Sequence, residues 1–179
     1  PATDGYLFLV SNRGSINNRT WAIVEDTAYM LDEAGIHAFS GGQSKPLSLA
    51  MRDIFGSGAT ARFRINWSAS RYFHAVHSPA EEQIRWFVAL SGNYLPRHAI
   101  TYDFRQERWW LEEYAESIGA SVRGFMGRKS QIYLGGAARR VLGMAAGPVD
   151  GPIPTGGTLR STATSATRFT LSDTAAVLQ

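Results

Sequence analysis

The sequence predicts an all-β protein built from repeated antiparallel strand units, and three observations lead there. Composition is the first: 12% aromatic residues and 18 glycines stand beside only two lysines, Lys45 and Lys129, a balance that favours strands and turns. The second is the alternation of short apolar runs with turn-forming residues through most of the chain. The third is a repeat, in which an apolar strand containing an aromatic residue (Tyr29-Met30-Leu31, Trp86-Phe87-Val88, Ile132-Tyr133-Leu134) is followed across a turn by a second strand at 36–39, 99–102 or 141–144. The units recur at roughly 45 to 60 residues, the period of one four-stranded blade of a β-propeller.

Taken in order, Tyr6-Leu7-Phe8-Leu9-Val10 reads as a strand, and Asn12-Arg13-Gly14 with Asn17-Asn18 supplies residues that tolerate positive φ. A meander of short strands follows at 20–24, 28–31 and 36–39, broken at Glu25-Asp26 and 32–35 and closing on Ser40-Gly41-Gly42. Residues 47, 50, 51, 54 and 55 are apolar at helical spacing with Gly56 as a stop, so one short helical turn is expected over 47–55. Strands resume at 61–67, 72–76, 83–90, 98–104, 108–114, 120–126, 131–134 and 140–144. Only about three blades are legible, against ~4 to 8 in closed propellers, so the ring is expected to be partial and completed elsewhere. The start at Pro1 and the break at Val177-Leu178-Gln179 read as a processed product or a piece of something longer.

These readings divide the chain into propeller-like blades at 1–147, a Pro/Gly linker at 148–157, and a segment at 158–179 rich in Thr, Ser and Ala. The β-branched threonines of that last segment favour the first strands of a small β module over an extended tail.

Several chemistries are closed. There is no cysteine, which removes disulfides, thiolate nucleophiles and Cys-ligated zinc. No apolar run approaches the ~18 residues of a membrane-spanning helix. The net charge of +3 is an average over 18 basic and 15 acidic residues spread along the chain, not the clustered basic face of a nucleic-acid footprint.

Other residues invite a chemical reading and then decline it. His74 and His77 resemble a metal pair, but three positions apart on a strand they face opposite ways. One is expected to be tucked in the sheet with a backbone hydrogen bond. Glu112 and Glu113 likewise cannot form an acid/base dyad, unless Asp103 or Glu107 joins one of them through folding; a solvated hairpin turn over 103–107 is the simpler reading. Trp109 and Trp110 are expected on the two faces of the outgoing strand, one of them filling the space between blades. The stretch 40–46 fails as a phosphate loop, because Lys45 is followed by Pro46 and no long helix starts there. No Gly-x-Ser-x-Gly elbow occurs, and the sequons at Asn18 and Asn66 matter only in a secreted eukaryotic protein. Neither an enzyme nor a cofactor or metal site is expected.

The stretch from Arg64-Ile65-Asn66-Trp67 to Ala75-Val76-His77, continuing through Ile84-Arg85-Trp86-Phe87-Val88, Thr101-Tyr102-Asp103-Phe104 and Arg108-Trp109-Trp110, resembles propeller-type virion proteins of tailed bacteriophages. The likeness spans residues 6–146, and segment 157–173 is similar to the opening of small β modules strung along phage tail proteins. The resemblance implies a structural, non-enzymatic component of the virion tail or neck, assembled in the host cytoplasm. Implied partners are other copies of the chain, neighbouring virion proteins and phage DNA in the channel, with the loops 78–82 and 91–97 meeting neighbours. A carbohydrate-binding or glycan-cleaving propeller, stacking Trp109 or Trp110 on a receptor sugar, is the alternative.

Overall fold

The computed structural model describes residues 11–56, 63–126, 129–144, 158–165 and 168–172, the last two stretches as backbone. The strand expected at 6–10 and the linker at 148–157 lie outside these residues. The architecture is all-β, and nearly all strand pairs are antiparallel.

The first sheet is a four-stranded meander: β1 (Trp21–Val24), β2 (Thr27–Asp32), β3 (Gly35–Phe39) and the short β4 (Lys45–Pro46). Local chemistry sets its turns. Glu25 takes positive φ between β1 and β2, and the Asp32 carboxylate accepts the Ala34 N–H at 2.6 Å in the next turn. Gly35 is required where it stands: its φ is +134°, and a Cβ there would lie 2.5 Å from Ser48 Oγ, the group that accepts the Ile36 N–H at 2.8 Å. The expected helix over 47–55 is shorter than its apolar spacing suggests. Leu47 still donates to Ile36 as an extended residue, and a 3-10 turn (Leu49–Met51) leads into the single turn α1 (Arg52–Phe55), of which only Phe55 is buried.

The stretch 61–67 does not form a strand in its described part. Ile65 makes one isolated bridge with Leu90, and Trp67–Tyr72 winds into a 3-10 helix. Packing overrides propensity here: the Trp67 indole donates to the Phe55 carbonyl at 3.3 Å, stacks on the Phe55 ring and meets Phe73 at a tilt.

A second meander follows, β5 (His74–Ser78), β6 (Gln83–Val88), β7 (His98–Asp103) and β8 (Arg108–Tyr114), and then a third run, β9 (Ile118–Met126), β10 (Lys129–Gly136) and β11 (Arg140–Met144). The hairpins β2–β3, β6–β7 and β10–β11 are the three strand pairs picked out by the sequence repeat. The second and third runs belong to one nine-stranded sheet, joined through β12 (Thr158–Ser165) and β13 (Arg168–Ser172), with β13 parallel to β8 and β12 parallel to β11. The sheet curls so that its edge strand β5 lies beside its other edge β9, and β5 also touches β1, where the Ala75 N–H donates to the Arg19 carbonyl at 2.7 Å. The first strands of the three runs therefore lie in a row.

Two apolar layers hold this arrangement. Leu31, Ile36 and Phe55 meet Ile84, Trp86, Val88 and Ile100 between the first and second meanders. On the opposite face of the second meander, Phe87, Ala99 and Tyr114 meet Ile118, Ile132, Leu134 and Leu142. Strand β6 is buried on both sides, which is why 84–90 reads as a continuous apolar run and not an alternating one.

Candidate functional site

Within the second apolar layer lies a polar cluster that sequence reasoning missed. Arg85 on β6 is 3% exposed and Glu112 on β8 is 1% exposed. The Arg85 Nε donates to both Glu112 carboxylate oxygens at 3.2 Å, one Nη to Glu81 at 2.7 Å and the other to the Gln83 side-chain oxygen at 2.8 Å. Trp110 Nε1 and Tyr114 Oη complete the shell of Glu112 at 3.0 and 2.6 Å. Burial works against the charge of Arg85, yet Glu112 and Glu81 hold its pKa above the ordinary value. Burial, then Glu112, pushes the Tyr114 phenol well above its usual range. Three donors, the Arg85 Nε–H shared between both oxygens and one further donor on each, surround Glu112, so this carboxylate is a structural anchor. The signal in the sequence was a single arginine inside an apolar strand, Ile84-Arg85-Trp86-Phe87; a buried arginine requires a buried acid.

Glu113 points away from Glu112 and sits opposite His98. Asp103 is not solvated as the hairpin reading supposed: it is 7% exposed, accepts the Gln106 N–H at 2.9 Å and the Gln83 amide at 3.3 Å, and so ties off the turn from inside. Arg105, Gln106 and Glu107 are exposed, with Glu107 at positive φ. The carboxylate of Glu112 is taken by Arg85, Trp110 and Tyr114, and that of Asp103 by Gln106 and Gln83.

His74 and His77 occupy opposite faces of β5. His74 stacks on Phe87 at 4.7 Å and its Nδ1 lies 3.0 Å from the Tyr72 carbonyl, while His77 meets the edge of Phe104. Burial pushes the His74 pKa down to about 4, and burial followed by Arg123 lowers that of His77. Among the described residues no group of three potential ligands surrounds a metal position. The 40–46 segment is the β3–β4 connection together with β4 itself, with Gly41 at φ +87° and Lys45 exposed.

Trp109 and Trp110 do lie on opposite faces, and both are occupied. Trp109 stacks on Tyr102 at 4.4 Å and on Trp86 at 6.1 Å, in an aromatic layer continued by Phe104 and Tyr29. Trp110 is held by Glu112. The Trp109 ring is thus taken up by aromatic neighbours, while Trp110 is held through its indole N–H.

Three surface features among the described residues stand out. A shallow depression of about 390 Å³ is lined by Arg64, Asn66, Trp67, Ser68, Ser91 and Gly92, and Tyr94 on the same loop is 77% exposed. Three exposed arginines, Arg19, Arg71 and Arg123, sit beside or on the row of first strands. Finally, the outward face of the first sheet carries Trp21 (44% exposed) and Ile23 (56%), and the outward face of β9–β11 carries Val122 (61%) and Val141 (64%).

No helix among the described residues is long and apolar enough to cross a membrane. No protein-family model matches the chain, and no curated protein is significantly similar to it.

Proposed function

We propose that the chain is a non-enzymatic structural component of a bacteriophage virion, in the tail or neck, whose meanders are blades of a partial β-propeller and whose work is assembly. The observation that carries this reading is the stack itself: three strand runs packed face on face, first strands in a row, with exposed apolar side chains at each end, Trp21 and Ile23 at one and Val122 and Val141 at the other. A solitary protein rarely exposes contiguous apolar surface, whereas an interface does. The buried ionic groups fit the same role, since Arg85 and Glu112 are consumed in tying β6 to β8 across β7. Arg19, Arg71 and Arg123 are the groups that would meet phosphate along a channel wall, as charge-assisted donors.

The test is to purify virions produced in cells that express the chain with a small epitope tag, and to locate the tag by electron microscopy. Label at the tail or neck in a fixed copy number is the expected result; particles lacking the chain overturn the reading.

A glycan-binding role has one observation in its favour, the polar depression at 64–68 and 91–92 beside exposed Tyr94. It centres that hypothesis on this loop in place of Trp109, whose ring is already stacked. Glycan-array binding lost in Tyr94→Ala and kept in Trp110→Phe would support it.

A further inference from the structure

The outward faces of the two end sheets differ in a way that matches them to each other. On the first sheet, cross-strand registration places Trp21 with Met30 and Ile23 with Ala28, so the large side chains of β1 and β2 project together from the outward face. On the third run the outward positions of β9, β10 and β11 alternate with the buried Ile132, Leu134, Leu142 and Met144. They are mostly small: Gly124, Gly135, Gly143 and Ala120, with Val122 and Val141 between them. Two of these glycines flatten the face. A Cβ on Gly124 would lie 2.8 Å from the Tyr133 ring, and one on Gly143 2.8 Å from the Gln131 amide. Tyr133 and Gln131 thus lie down across the neighbouring strands. One face is raised over β1 and the other is level; beyond Met30 the first face continues on β3 to the buried His37, whose Nε2 lies 3.5 Å from Asp32, itself 3.7 Å from Arg13, so the apolar part open to a partner is the Trp21 and Ile23 side.

Each face is the reverse side of a sheet whose other side already forms a face-to-face interface within the chain. The row β1, β5, β9 also ends at both faces, so a further sheet laid on either one continues an interface that exists. We infer that the occupant is a second copy of this chain, docked head to tail: Trp21, Ile23 and Met30 of one copy against Val122, Tyr133 and Val141 of the other. Such a contact is heterologous and must close or grow. With three strand runs per copy, two copies closing on each other supply six, inside the range of closed propellers. The inference rests on the blade reading above, but not on the virion assignment.

Native mass spectrometry of the untagged full chain is expected to give about 39 kDa, twice the 19.6 kDa of one chain. Ile23→Lys and Val141→Lys replace side chains more than half exposed and are each expected to be monomeric, with a melting temperature no more than about 3 °C below that of a single folded copy stabilised by its own core. Mixing the two variants restores a dimer, because one intact pair of faces remains between them. A parent chain that stays monomeric overturns the inference. So does a Val141→Lys variant that still dimerises, since the contact would then pair like faces. Neither outcome touches the location of the chain in virions, and absence from virions would leave the dimer standing.

Discussion

Replacing Glu112 by glutamine keeps the shape of the side chain and removes its charge from beneath Arg85. Both residues are almost fully buried, at 1% and 3% exposure, so water cannot take over the lost interaction. Breaking a buried ion pair by removing one partner costs about 3–5 kcal/mol. Arg85 keeps Glu81 at 2.7 Å and Gln83 at 2.8 Å, which places the expected loss near the bottom of that range, at about 3 kcal/mol. The amide adds a geometric conflict. Glu112 accepts from Arg85 on both oxygens, from Trp110 on one and from Tyr114 on the other, so an NH₂ group at either position faces a donor. For a chain of this size the melting temperature falls by roughly 2–4 °C per kcal/mol, giving a drop of roughly 6–12 °C by calorimetry. Glu33→Gln on the exposed β2–β3 turn is the control, with a change within about 0.5 kcal/mol. The double variant Arg85→Met with Glu112→Leu removes both charges and is expected to recover at least half of the single-variant loss. A Glu112→Gln protein melting within about 2 °C of the parent would refute the reasoning, because it would mean that the Arg85 site is wet.

Three further predictions follow from the same geometry. The Tyr114 phenol has its pKa raised in the folded state, so its contribution is complete below the unfolded value near 10 and is lost as pH rises above it; chemical denaturation at alkaline pH is expected to flatten in Tyr114→Phe. His74 runs the other way: with a folded pKa of about 4 against 6.5 unfolded, its contribution is present above pH 6.5 and disappears as pH falls toward 4. A His74→Phe variant, keeping the ring on Phe87, is expected to lose less stability over that window, by up to about 3 kcal/mol, and an unchanged acid limb would count against it. Gly35→Ala forces a side chain into positive φ and onto Ser48 Oγ, costing roughly 1–3 kcal/mol from the backbone alone; adding Ser48→Gly relieves the clash but leaves the backbone cost and strips the buried Ile36 N–H of its acceptor, so denaturant midpoints are expected to stay well below the parent's.

Much of this fold was legible in the chain. Strands at 108–114 and 140–144 are found where alternation and turn residues put them, and the repeated aromatic hairpins are real pairs, because side-chain period and turn chemistry act over a few residues. The opposed placement of His74 and His77, of Glu112 and Glu113, and of Trp109 and Trp110 followed from the same period. The 3-10 helix at 67–72 was not legible, since Trp67 is drawn into it by Phe55 and Phe73, which reach it only after folding. The buried position of Asp103 was hidden for a similar reason: its partner Gln83 comes from a different strand.

The amino-acid sequence alone determined that the chain is all-β, where most strands begin and end, and which neighbours on a strand cannot share a site. Only the tertiary structure decided that Arg85 and Glu112, 27 residues apart, meet in a closed layer, that β13 joins β8 in parallel, and that one end of the stack is raised and the other level. These depend on the register and facing of strands distant in sequence, and no local pattern encodes which buried surface a strand will find.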